Sequence, residues 1–159
     1  MSTNLTNLIS QRLLTKTGVT STSDHLRDKK RVAFYFSSGS CSHCRTFTPQ
    51  LSQFYSIVNQ LYPNKPLEII FVSLDGSQRE FNDYYNKMLW TAIPHDQSAH
   101  VLKLFNGYFN GSVPHVLICD VSTSNIIDNE AYEKLYSLFN TNKIQDVNEI
   151  NNLLNIWFK

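Results

Sequence analysis

The stretch YFSSGSCSHCRTFTPQL, residues 35–51, places Cys41 and Cys44 three positions apart, between an apolar run and a segment of helical periodicity. Upstream, RVAFYFSS (31–38) is β-branched and aromatic, which fits a strand buried on both faces in the middle of a parallel or mixed sheet. Downstream, a helix opens at Ser40 or Cys41, and Phe47, Leu51, Phe54, Tyr55 and Val58 recur at helical spacing to about Leu61. Pro49 falls inside that helix, removes one backbone hydrogen bond and is expected to kink it. At this point three readings are open: a redox dithiol, half of a metal site, or two ordinary thiols.

The position of the pair carries physical weight. Backbone N–H groups at a helix N-terminus point toward the first sulfur, and the helix dipole favours negative charge there. Cys41 is therefore expected to ionise easily, within the range of roughly 3.5 to 7.5 that such thiols reach. Cys44 lies one turn in, on the same face and deeper, where it can attack a mixed disulfide formed by Cys41. Between them stand Ser42 and His43; a protonated His43 would favour the thiolate further, whereas a solvent-facing imidazole would do little.

The bulk composition narrows the class. In 159 residues, apolar side chains make up 42% and aromatic ones 13%, enough for a packed interior and against disorder. A net charge of +1 gives no reason to expect nucleic acid or an anionic membrane as partner. The basic group Arg27, Lys29, Lys30 and Arg31 is interrupted by Asp28 and reads as the solvated start of a strand. MSTNLTNLISQRLLTKTG (1–18) lacks a charged start followed by an apolar core, and no stretch is long enough to cross a bilayer. A cytoplasmic, monomeric protein is expected. Three cysteines do not form a disulfide framework in such a setting.

Farther along, LEIIFVSL (67–74) is a second buried strand, and SQRE (77–80) reads as a capping box with Ser77 as cap and Glu80 reaching back to it. A helix with Phe81, Tyr84, Tyr85 and Met88 follows, then a loop and a short helix ending near Gly107. SVPHVLICD (112–120) gives a proline at the start of a third apolar strand, where a missing N–H is tolerated. NIID (125–128) reads as an antiparallel edge strand, and two helices close the chain over about 130–140 and 147–158. The predicted order is β-α-β-α-α-β-β-α-α: an α/β domain with a central mixed sheet flanked by helices on both faces, spanning residues 1–159.

A strand, a CxxC, a helix with Pro49 five residues on, and Val113-Pro114 opening a distal strand together resemble the thioredoxin fold. FYFSSGSCSHCRTFTPQLSQFY (34–55) resembles the tryparedoxin and nucleoredoxin subgroup, whose typical stretch is FYFSASWCPPCRGFTP. The D-YY-KM-W block at 83–90, the following IPHDQ and the GSVPHVLICD block (111–120) resemble it too. The similarity runs from about residue 8 to 127; residues 128–159 diverge.

The resemblance implies a dithiol–disulfide oxidoreductase whose redox group is the Cys41–Cys44 pair, with no other cofactor and no metal. Cys41 would be the nucleophile, Cys44 the resolving thiol, and Val113-Pro114 a cis-proline platform for substrate. Partners would be protein disulfides and an upstream thiol reductant. Tyr35 falls where the subgroup carries a tyrosine behind the active site and many thioredoxins carry a buried acid, so a proton acceptor for Cys44 must lie elsewhere; Asp75 and water are candidates. The chain departs from the subgroup at Ser40, where a tryptophan is usual, and at Ser42-His43, where two prolines are usual. These changes remove a docking surface and point to general reduction of protein disulfides. His43 stands where disulfide isomerases and oxidases also carry histidine.

His115, after the proline, is placed to tune the thiolate or touch substrate, or else simply to start the strand. Arg45 is expected to lie exposed beside the site. Cys119 reads as a buried small hydrophobe, and His95 and His100 fall on different faces. In NEINNLLNIWFK (148–159), Ile150, Leu153, Leu154, Trp157 and Phe158 form one stripe that packs on the sheet or, if the helix projects, meets a partner. Two functions compete with thiol–disulfide exchange. One is a redox-degenerate interaction module on the same scaffold. The other is a metal clip, which lacks the second CxxC that a closed zinc site would use.

Overall fold

The apolar runs that the sequence marks as doubly buried become the middle of a sheet, and that sheet delivers the dithiol. The computed structural model describes residues 4–159, so residues 1–3 of the N-terminal stretch lie outside it. After a 3-10 turn at Leu5–Asn7 come β1 (Arg12–Thr15), β2 (Gly18–Ser21), α1 (Thr22–His25), β3 (Arg31–Ser37), α2 (Ser42–Leu61), β4 (Leu67–Ser73), α3 (Gln78–Tyr85) and β5 (Thr91–Ala92). A second 3-10 turn at His95–Gln97 leads into α4 (Ser98–Leu104), β6 (His115–Asp120), β7 (Ile126–Asp128), α5 (Ala131–Asn140) and α6 (Val147–Trp157).

The seven strands form one mixed sheet in the order β2-β1-β5-β4-β3-β6-β7. β3 runs parallel to β4 and antiparallel to β6, with Tyr35 opposite both Phe71 and Val116. Side-chain alternation then splits the core in two. Ala33, Tyr35, Ile69, Phe71, Val116 and Ile118 face α2, α3, α5 and α6. Val32, Phe34, Phe36, Ile70, Val72 and Leu117 face the N-terminal segment and α4.

The structure adds elements to the predicted order. Residues 12–21 form an antiparallel hairpin, and β1 joins the sheet through the two-residue β5, where Leu14 pairs with Ala92. The Ser77 side chain accepts from Glu80 N–H at 3.1 Å, as a cap should. The Glu80 carboxylate, however, accepts from Gly76 N–H at 3.2 Å rather than from Ser77, because the chain turns one residue earlier. α2 runs as a single helix through Pro49, whose ring faces outward. Arg31 of the basic group ion-pairs with Asp120, and Arg27 with Asp24 at 2.6 Å.

The divergent C-terminal residues belong to the same core. Ile150, Leu153, Leu154 and Trp157 are buried, so the stripe packs inward. Trp157 meets Phe54 of α2 edge-on, its ring N–H donates to Asp128 at 2.9 Å, and its carbonyl accepts from Arg31 Nε at 2.7 Å. Among the described residues no helix is long and apolar enough to cross a membrane.

Candidate active site

β3 ends at Ser37, a short turn follows, and Cys41 becomes the N-cap of α2. Its sulfur accepts the Cys44 backbone N–H at 3.3 Å, an orphan donor of the first helical turn. The register of β3 with β6 brings the start of β6 to the same place. The Cys41 sulfur lies 3.7 Å from the Val113 carbonyl, and the Val113-Pro114 peptide bond is cis. Cys41 is half-buried and Cys44 fully buried. The Cys41 sulfur thus accepts from one amide and, as a thiol, donates to the Val113 carbonyl.

Cys44 has the opposite environment. Burial pushes its thiol up to about 11, and the hydrogen bond it donates to the Cys41 sulfur adds to the effect. The nearby Ser37 hydroxyl and the Ser38 backbone pull the other way. A consequence can be measured. Alkylation of Cys44 in the native reduced protein should rise about tenfold per pH unit from 7 until the pH nears that ionisation, since only the thiolate reacts. Peptide mass spectrometry after iodoacetamide treatment checks this; a Cys44 rate that levels off below pH 9 contradicts it.

The turn before Cys41 is held by Asp75. Its buried carboxylate accepts from Gly39 N–H at 2.8 Å, Ser38 Oγ at 3.3 Å and Ser73 Oγ at 2.6 Å. These bonds direct the carboxylate to the loop. Charge-assisted bonds of this kind stabilise by about 1.5–3 kcal/mol each. Asp75→Ala should lower unfolding free energy by about 3 kcal/mol in a denaturant titration, allowing for water entering the space. A loss under about 1 kcal/mol would contradict it.

The remaining candidates separate into two groups. Ser40 is exposed and shares a 2.9 Å contact with Ser38 Oγ. Ser42 is exposed, and its carbonyl accepts from Thr46 at 3.2 Å. Arg45 is exposed, but its guanidinium donates to the Gly39 carbonyl at 2.9 Å, so it ties the helix to the turn. His43, Val113, Pro114 and His115 line a groove of about 550 Å³ next to the dithiol, together with Tyr132 and Tyr136. His115 pairs with Asn129 Oδ1 at 3.0 Å and packs on Phe36 and Phe109, so it belongs to the groove wall. His95 and His100 bond to the backbone carbonyls of Asp75 and Leu8. Cys119 is buried on the other face of the sheet, and burial raises its thiol far above the ordinary value. Among the described residues no three His, Cys, Asp or Glu side chains are grouped to hold a metal ion.

Sequence reasoning placed Tyr35 behind the site but missed its hydroxyl partners and Tyr132 beside Cys44. Tyr132 of α5 packs on Phe47 with ring centroids 4.9 Å apart; burial raises its phenol, and charge on either sulfur would raise it further. Tyr35, Ser37, Thr48 and Tyr84 form a buried hydroxyl cluster under the first turn of α2. The signal available was slight: Tyr35 and Ser37 share one face of a strand, and Thr48 lies four residues after Cys44 on a helix.

A sequence model of the family described as thioredoxin-like matches residues 28–127. The chain belongs to that family. Within it, the chain is 36% identical over 102 residues to tryparedoxin of Trypanosoma brucei brucei, a match covering 64% of this chain and 69% of that one. It is 35% identical over 91 residues to probable nucleoredoxin 1 of Arabidopsis thaliana, covering 57% of this chain but only 15% of that longer protein. The solved structure of tryparedoxin from Trypanosoma brucei superposes with a TM-score of 0.73 at 30% identity, over 87% of this chain and 92% of that one. This thioredoxin-family protein is accordingly a thiol–disulfide oxidoreductase of the tryparedoxin and nucleoredoxin group.

Proposed function

We propose that the protein exchanges disulfides with other proteins through its Cys41–Cys44 dithiol. Cys41 attacks a substrate disulfide; one substrate sulfur leaves with its electron pair and takes a proton, and a mixed disulfide remains on Cys41. Cys44 then attacks the Cys41 sulfur, expels the second substrate thiol and closes the Cys41–Cys44 bond. An upstream thiol returns the two electrons, and no further cofactor is required. The observation that carries this reading is the contrast between the sulfurs: Cys41 is half-buried under a helix N–H, while Cys44 is buried with its thiol aimed at Cys41.

The backbone at Val113, 3.7 Å from the Cys41 sulfur through its carbonyl, is the edge on which an extended substrate strand would dock. His43, Pro114 and His115 would line its path, with the open site at Ser40 and Ser42 leaving room for varied protein surfaces. The reading suits a monomer working in a reducing compartment such as the cytoplasm. It is tested by reduction of insulin disulfides with dithiothreitol as donor. The protein should accelerate insulin precipitation well beyond the donor alone; equal rates with and without it overturn the proposal.

A further inference from the structure

The hydrogen-bond directions in the cluster behind Cys44 single out one group. Thr48 Oγ1 lies 2.9 Å from the Cys44 carbonyl, which can only accept, so the single Thr48 proton is committed there. Thr48 Oγ1 then receives the hydroxyls of Tyr35 and Tyr84, each at 2.7 Å, on its two lone pairs. With those protons placed, the Ser37 hydroxyl has the one proton still free to choose. Its hydrogen-bond acceptors are the Tyr84 oxygen at 2.7 Å and the Tyr35 oxygen at 3.1 Å, and it lies near enough to Cys44 to pull that thiol's ionisation down. Ser37 is fully buried, so no bulk water competes for it.

We propose that the Ser37 hydroxyl steadies negative charge on Cys44 during resolution, turning from a tyrosine oxygen toward the sulfur as that charge develops. This rests on the order of attack given above, Cys41 first and Cys44 second. In the step itself the Cys44–Cys41 sulfur bond forms and the bond between Cys41 and the substrate sulfur breaks. The departing sulfur takes the electron pair, and the proton of the Cys44 thiol ends on it. Nothing is consumed at Ser37, which returns to its tyrosine acceptor once the disulfide has closed. The two phenols and Thr48 act through Ser37: they occupy one another and leave its proton available. The arrangement answers the need left by the missing buried acid, because a neutral hydroxyl can turn toward the Cys44 sulfur without adding a second charge to the buried site.

The test uses one equivalent of 5,5′-dithiobis(2-nitrobenzoate) on the reduced protein, read in a stopped-flow spectrometer. Attack by Cys41 releases the first coloured thiolate at a rate that depends on reagent concentration. Attack by Cys44 releases the second in a first-order phase. Ser37→Ala should keep the first phase within about twofold and slow the second about tenfold, the weight of one charge-assisted hydrogen bond. The pH midpoint of the second phase should rise by about one unit. Ser37→Thr, which keeps the hydroxyl, should recover the second phase to within about threefold. A second phase in Ser37→Ala at wild-type speed and midpoint overturns the proposal. So does equal slowing in both variants with an unmoved midpoint, since that is the mark of packing alone. Absence of the first phase in the wild type would instead strike the proposed order of attack.

Discussion

Cys44→Ser should turn the protein from a turnover catalyst into a covalent trap, whereas Cys41→Ser should leave it inert. Both variants are expected to lose insulin reduction by about a thousandfold or more, as removal of a group that makes or breaks bonds commonly does. Their products should differ. In Cys44→Ser the Cys41 sulfur keeps its place as the N-cap of α2, so it can still open a substrate disulfide. The adduct then persists, because serine cannot carry out the second attack. In Cys41→Ser the surviving thiol is fully buried and raised to about 11, so adducts should form very slowly at neutral pH. Mass spectrometry under non-reducing conditions separates the two outcomes. Adduct formation in Cys41→Ser as fast as in Cys44→Ser would reverse the roles assigned here.

The second large effect concerns stability. Trp157→Ala should lower unfolding free energy by about 4 kcal/mol, within the span usual for removing a buried aromatic. The indole is 1% exposed and packs edge-on against Phe54 of the helix that carries the dithiol. Its loss also takes one donor from the buried Asp128 carboxylate, which keeps Lys134 at 3.0 Å. Trp157→Phe, which retains most of the volume but not the N–H, should cost about 1–3 kcal/mol. Guanidinium titrations of the three proteins measure the difference. A loss below about 1 kcal/mol in Trp157→Ala would show that α6 is an appendage rather than part of the core.

What the sequence revealed follows from the range over which each signal acts. β3, α2, β4 and β6 were legible because unbroken apolar runs and helical periodicity are local, and a dithiol three residues wide is local too. The hairpin of β1 and β2 was not, since it is short and half-exposed and its Lys16-Thr17 turn lacks the usual Asn-Gly signature. β5 is only two residues long and exists because Ile70, Phe71 and Leu14 pair with it from elsewhere in the chain. That Cys41, Cys44 and the Val113-Pro114 segment lie together was legible, yet the hydroxyl cluster was not. Tyr35 and Tyr84 meet only through the packing of α3 on β4 and α2, and no spacing announces it. His115 and Arg45 were picked out by sequence proximity to the dithiol. The structure turns one toward Asn129 and the other toward the Gly39 carbonyl.

The third cysteine illustrates what a sheet can do besides carry load. Cys119 faces the N-terminal segment and α4, whereas Cys44 belongs to α2 on the opposite side, with the sheet between them. Electrons entering at the dithiol, as proposed above, would therefore have no side branch. A protein whose three thiols could meet would be open to scrambled isomers, and the sheet keeps the third thiol away from the other two.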